Sequence, residues 1–318
     1  MEISKIVIGD SVNEQVFCLK SLSRANDNKY EVVISDKSGE LTCELAAERF
    51  SKDMIAMVGG AVKTSFIVKN GLNTIPVGII KSLVKAEEGT FKPSELFDGL
   101  SEEKIKYYKG VIHSCIKSIP REDCKQLVAK ILDEQMLSQL STLPATLAYH
   151  GTYRGGALAA TACVTKMIMQ AALQYVKSEN GLYKPCLDWG TLIASSLLVY
   201  VGNVDYYTSE QPFRKTPIGV ERGYLSILQK RIESANDGIV DDFTLARIIN
   251  ILGASAPTKS GIKATSSEGI ILRQCSMMYE ELDRLDAGMA GYEAEEGETY
   301  FYDRKLRRNI VLPDKGAV

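Results

Sequence analysis

Val33-Ile34-Ser35-Asp36-Lys37-Ser38-Gly39-Glu40-Leu41 decides the fold of the first part of the chain. Two apolar runs flank a turn whose Asp and Gly are the residues that tight turns use. Upstream, Asn26-Asp27-Asn28 turns the chain ahead of Tyr30-Glu31-Val32-Val33-Ile34, and Val16-Phe17-Cys18-Leu19 supplies a strand before it. Downstream, Glu40 to Leu45 is a third strand and Ala46 to Lys52 a short helix. Two further strands fit Ile55 to Val68 and Leu72 to Val84, joined at Lys69-Asn70-Gly71, an Asn-Gly hairpin signal. Val58-Gly59-Gly60 falls inside the fourth of these strands, where it predicts a bulge. Five strands with a helical insert after the third are what a small Greek-key barrel requires.

The Val33–Leu41 phrase resembles the strand 2 to strand 3 hairpin of nucleic-acid-binding OB-folds, commonly written Leu-x-Asp-x-Thr-Gly-x-Ile. The resemblance implies either a binding face for single strands or oligosaccharide, or a packing module.

Beyond Leu100 the apolar period becomes helical. Ser101 can cap a helix with Glu102 and Glu103 in its first turn and Ile105, Tyr108, Ile112 and Cys115 on one face, ending at Pro120. A second helix carries Leu127, Ile131, Leu132 and Leu140. Further helices fit Gly155 to Val176, Leu187 to Tyr200, Gly223 to Ser234, Asp241 to Leu252 and Ser267 to Met289. Asp205 to Glu221 reads as loop. The end of the chain has an acidic run, Glu293 to Glu298, then Tyr300-Phe301-Tyr302 and Arg304-Lys305-Leu306-Arg307-Arg308, a solvated tail or a basic-aromatic nucleic-acid segment. The expected class is α+β: an OB-like barrel over 1–90, a helical connector over 91–143, an all-α domain over 144–291 and a tail over 292–318.

A chain of 318 residues is long enough for two domains with cores of ordinary size. Its 45% hydrophobic and 25% charged residues are those of a soluble globular protein. Seven cysteines show no Cys-x-x-Cys, and no basic segment with an apolar signal core follows Met1, so reduced thiols in a cytoplasm are expected. The apolar run Gly155 to Val176 contains Thr161, Thr165, Lys166, Gln170 and Gln174, costly in lipid, and reads as a buried helix rather than a membrane span. A net charge of −2 leaves no general basic excess, so any nucleic-acid site must be a local patch. A homo-oligomer, which gathers weak patches into a strong one, is the expected assembly.

His150-Gly151-Thr152-Tyr153-Arg154-Gly155-Gly156 is followed by that apolar helix and then by Leu192-Ile193-Ala194-Ser195-Ser196-Leu197-Leu198-Val199-Tyr200-Val201-Gly202-Asn203. With Thr161, Asp188 and Leu282-Asp283-Arg284-Leu285-Asp286-Ala287, this framework resembles the HD domain of the YhaM-type 3′-5′ exoribonucleases, and the order of barrel, connector and helical core is similar too. The resemblance implies metal-dependent phosphohydrolase chemistry, in which imidazoles and carboxylates converge on metals. The family's ligands are nevertheless replaced. The histidine after Gly-Gly falls at Ala160, the His-Asp pair at Val199 and Tyr200, and the lysine after the glycine at Asn203. The Gly-His-Ile histidine falls near Leu228 and the His-His pair near Ala254-Ser255, leaving Asp283 from the metal set. Two histidines, His113 and His150, do not furnish a histidine-rich binuclear site. No Gly-x-Ser-x-Gly, Walker loop or Gly-x-Gly-x-x-Gly occurs.

The expectation is therefore a pseudoenzyme without metal or other cofactor that binds single-stranded DNA or RNA, a replication or transcription accessory factor of a kind that includes viral ones. Candidate contacts are Phe17, Lys20, Tyr30, Lys37, Phe66 and Lys69 on the barrel, with Arg154 and Arg214 as a second patch. Phe17 and Tyr30 suit the barrel core equally well. Two rivals stand beside this reading: an adaptor for protein partners, and a metal enzyme rearranged around Asp283, Asp286, Asp205 and His150.

Overall fold

The computed structural model describes residues 2–71, 75–87, 89–177, 186–255, 263–289, 292, 298–303 and 308–311. The chain divides into two compact units: Met1–Ser101 with Thr208–Arg214, and Glu102–Tyr207 with Lys215–Val318.

The first unit is a closed barrel of β1 (Ser11–Asn26), β2 (Lys29–Asp36), β3 (Gly39–Ala46), β4 (Ala61–Asn70) and β5 (Pro76–Lys85), paired in the order β1-β2-β3-β5-β4 and back to β1. The β3–β5 pair is parallel, with Cys43 opposite Gly78, and the others are antiparallel. This is the OB-like arrangement expected. Closure gives every strand two neighbours, the β3–β5 seam being the shortest. Asp36 makes the β2–β3 turn by accepting the Ser38 and Gly39 amides at 2.7 and 3.2 Å, which holds the two strands in register from Asp36–Gly39 back to Lys29–Ala46. Inward residues of all five strands, among them Leu19, Val32, Ile34, Cys43, Leu45, Val62 and Ile80, form one apolar core.

Two details differ from the sequence reading. Residues Ala47–Arg49 and Lys52–Met57 are 3-10 turns rather than one helix, and β4 starts at Ala61, not Ile55. Ser51 accepts the Asp53 amide and starts the second turn, which packs Met54 and Met57 against the barrel core. Gly59-Gly60 consequently precedes β4. The Gly59 amide donates to Leu19 O at 2.6 Å and Leu19 donates to Gly60 O at 2.9 Å, while Gly59 has φ +85°. A Cβ on Gly59 would meet Pro212 Cβ at 2.9 Å, so the pair is small because the Thr208–Arg214 arm lies against it. The short helix α1 (Pro93–Leu96) completes this unit.

The second unit is helical: α2 (Glu102–Lys117), α3 (Glu122–Ile131), α4 (Glu134–Leu140), α5 (Gly156–Lys177), α6 (Trp189–Leu198), α7 (Asn203–Tyr206), α8 (Pro217–Arg222), α9 (Tyr224–Asn236), α10 (Asp242–Ser255) and α11 (Ser267–Met289). The helices expected as a connector, α2 to α4, share one core with α5, α6 and α9 to α11. The single helix read around Leu127 to Leu140 is two, because Asp133 leaves helical geometry and caps α4 through the Met136 amide at 2.7 Å. The stretch read as loop from Asp205 to Glu221 contains α7 and α8, the latter begun by Thr216 as cap and Pro217 in its first turn. The tail holds a hairpin of β6 (Tyr300–Asp303) and β7 (Arg308–Val311); residues 293–297 and 304–307 of the acidic and basic runs lie outside the described residues. Helix α5 is apolar and long enough to cross a membrane, yet it packs on α2, α6 and α11 with most of its apolar window buried, as a core helix does.

Candidate recognition sites

The loop from Pro144 to Gly155 and the α6–α7 junction build the centre that the sequence singled out. Ala145 and Gly151 pair backbone to backbone at 2.8 Å, and Thr146 Oγ1 closes the turn by accepting the Tyr149 and His150 amides and donating to His150 O. Gly155, at φ +88°, redirects the chain into α5, and Gly156 approaches Gly151 so closely that a Cβ there would lie 2.0 Å from the Gly151 oxygen. This close approach is why the pair must be Gly-Gly. Asn203, where the resembled family carries lysine, is buried and donates to Pro144 O and Ala145 O at 2.7 and 3.0 Å, tying the loop to α7.

His150 is 4% exposed, and its Nε2 lies 2.9 Å from Tyr200 Oη. The imidazole stands edge-on to the Tyr200 and Tyr279 rings, 6.0 and 5.8 Å away. Burial, reinforced by the Arg284 charge, holds His150 down at about 4, so it is neutral at pH 7. Its Nδ1 has no hydrogen-bond partner among the described residues; Glu280 Oε2 stands 3.9 Å away, its carboxyl raised above the ordinary range mainly by burial. Burial likewise raises the Tyr153, Tyr200 and Tyr279 hydroxyls. Asp283 accepts the Gly151 amide at 2.8 Å. Asp205 is held by Arg231, with Nε at 2.9 Å from its carboxylate. Among the described residues no group of three His, Cys, Asp or Glu side chains is placed to hold a metal.

A charged network gathers at the N-terminal ends of α6 and α11, away from the Tyr200 and Asp283 ends that face His150. Asp188 caps α6 through the Thr191 amide and receives Arg121 and Arg247, while Glu268, 1% exposed, accepts the Asp188 amide at 2.7 Å and Arg247 Nη2 at 2.8 Å. Arg121 also grips Asp123 at 2.6 Å and donates to Thr244. Asp188 thus has a structural use.

The barrel candidates separate into two ends and a core. Phe17 and Phe66 are 1% and 0% exposed and pack on each other at 5.9 Å, so they are core residues and not base-stacking rings. Alternation along β1 and β4 turns both inward. Lys20 is ion-paired with Glu40. Lys37, in the β2–β3 turn, and Lys69, near the end of β4, are exposed at one end of the barrel, where parallel β3 and β5 both begin. Tyr30 is at the other end, paired with Leu45, and stacks on Phe50 with ring centroids 4.0 Å apart and planes 10° from parallel. Arg214 belongs to this end too, donating to Ala56 O at 2.6 Å on the segment that follows Phe50. Arg49, immediately before Phe50, donates to Lys81 O. Arg154 is half-buried in the helical unit. Phe50 and Arg49 escaped the sequence reading because they fall in a short insert without periodicity; only their adjacency, an aromatic beside a cation, marks them.

The outer face of β2 and β3 presents Glu31, Glu40 and Glu44, with Lys20 and Lys29 bound to the latter two, Lys29 at 2.5 Å. That face carries no basic excess. No family model matches the chain, and no curated protein matches it.

Proposed function

We propose that this protein recognises single-stranded nucleic acid without cutting it, through the end of the barrel formed by the β1–β2 turn and the β3–β4 insert. The observation that carries the reading is the stacked, half-exposed Tyr30–Phe50 pair, with Arg49 adjoining Phe50 and Arg214 reaching the following turn at Ala56, both bonded to backbone carbonyls and meeting no carboxylate among the described residues. Stacking platforms with nearby cations are what sequence-tolerant strand binding uses. The non-catalytic part of the reading is supported by the helical unit. Where the YhaM-type resemblance would require a metal-binding carboxylate stands Tyr200, bonded to His150, and Asp283 is engaged with the Gly151 amide.

Anisotropy with labelled oligothymidylate and oligouridylate about 16 nucleotides long, the upper site size of one such barrel, tests the proposal. Phe50→Ala is expected to weaken binding by about 1–3 kcal/mol, the usual worth of one stacked base. Arg49→Gln is expected to reduce the salt dependence as well. Absence of binding by the intact protein at low salt would overturn the reading.

The β2–β3 face, which carries no basic excess, favours a second reading, an adaptor for protein partners. Treatment of the natively isolated protein with nuclease separates the two, since an adaptor keeps its partners and a strand binder releases them.

A further inference from the structure

The helical unit contains a cleft of about 750 Å³, bounded by the end of α3, α4, α7, α8 and α9. That volume falls within the range of roughly 300–1,000 Å³ typical of ligand sites. Four cations line it, Lys130, Arg222, Lys230 and Arg231, against two carboxylates, Asp133 and Asp205. Both carboxylates are engaged, Asp205 by Arg231 and Asp133 by the Met136 amide that it caps. Lys130 reaches Asp237 at 3.8 Å. Arg222 and Lys230 are exposed and meet no carboxylate among the described residues. The cleft is thus locally positive in a chain of net charge −2.

Its floor is aliphatic: Ile131, Met136 and Ile227 are each 5% exposed. At the rim Ile218 is 53% exposed and lies one helical turn before Arg222 on the same side of α8. None of the described lining residues is aromatic, so a nucleobase finds no ring to stack on. Carboxylates beside Leu- or Ile-type side chains match both the charge and the floor.

We infer that this cleft is a docking site for an acidic peptide segment of a partner protein, held by Arg222 and Lys230 and anchored by aliphatic side chains on Ile218 and the floor. Grooves of this kind take the apolar face of an amphipathic helix while rim charges set orientation and partner choice. The site lies wholly within the helical unit and does not depend on strand binding by the barrel.

The test uses the intact protein and a fluorescein-labelled amphipathic peptide of Glu and Leu, its counterpart with Lys for Glu, and labelled oligothymidylate. The Glu/Leu peptide is expected to bind. The Arg222→Glu/Lys230→Glu variant should bind it at least about tenfold more weakly, and the affinity should fall with salt. Ile218→Ser, which leaves the charge intact, should also weaken it, and this variant decides the matter if the charge-reversed protein does not fold. No binding of the Glu/Leu peptide, equal binding of the Lys/Leu peptide, or unchanged affinity in the variants overturns the inference. Oligothymidylate that displaces the peptide, and whose own binding the charge reversal abolishes, would assign the cleft to nucleic acid instead.

Discussion

Among the described residues of the barrel the buried polar side chain is Thr64, whose hydroxyl donates to Ser82 O at 2.7 Å, whereas the helical unit buries His150, Thr161, Ser195, Ser196, Asn203, Asn236 and Glu268. A closed sheet pairs its backbone groups with neighbouring strands and leaves its interior free to be apolar. Helices end with unpaired amides and carbonyls, and buried ends need side chains to meet them. Glu268 does this at the Asp188 amide that opens α6, and Asn203 at two carbonyls and Asp283 at Gly151 do the same for the buried loop ahead of α5. The two units therefore fail differently: the barrel through lost volume, the helical unit through lost partners.

Phe66→Ala should show the first kind of failure most strongly. Removing a fully buried ring is expected to cost about 3–5 kcal/mol in urea unfolding. If it abolished strand binding with stability intact, the assignment of Phe66 to the core would fail. Arg247→Met tests the second kind. It leaves the Glu268 carboxylate buried without its guanidinium and should cost about 3 kcal/mol. Adding Glu268→Met should recover part of that loss, since a buried pair replaced by apolar groups costs less than a pair broken on one side.

His150 adds a pH dependence to the helical unit. Its folded value of about 4 lies below the ordinary 6.5, so the unfolded chain takes up the proton first as pH falls. Stability should be full above about pH 6.5 and decline by up to about 3 kcal/mol on descending to pH 4. Glu280, raised by burial, acts in the opposite sense and moderates the decline. Urea midpoints of wild type and His150→Gln across this window check it, and a wild-type midpoint as flat as the variant's would remove His150 as the cause. Tyr200→Phe is the smallest change, about 1 kcal/mol for the hydrogen bond to His150, read in the same titrations.

Features decided within a few residues were legible. Asp36 with Gly39 fixed the β2–β3 hairpin, and the bounds read for the last long helix, Ser267 to Met289, are those of α11. Features decided by distant partners were not. The direction of Phe17 and Phe66 follows from strand register, and Tyr30 finds Phe50 across an insert whose 3-10 form has no apolar period. The break at Leu132–Asp133 looked continuous because both halves present apolar residues to one core. The cations of the cleft come from three separate helices, α3, α8 and α9, and no local pattern joins them.

Thr208–Arg214 has a consequence for any attempt to divide or exchange the two halves. The chain passes from one unit to the other three times, after Ser101, after Tyr207 and after Arg214. A fragment ending at Ser101 would expose Gly59-Gly60 where Pro212 packs and the Ala56 carbonyl where Arg214 binds. A transplanted barrel must carry this arm with it, so the units are inherited as one interlaced piece and do not behave as modules that can be shuffled at a single seam.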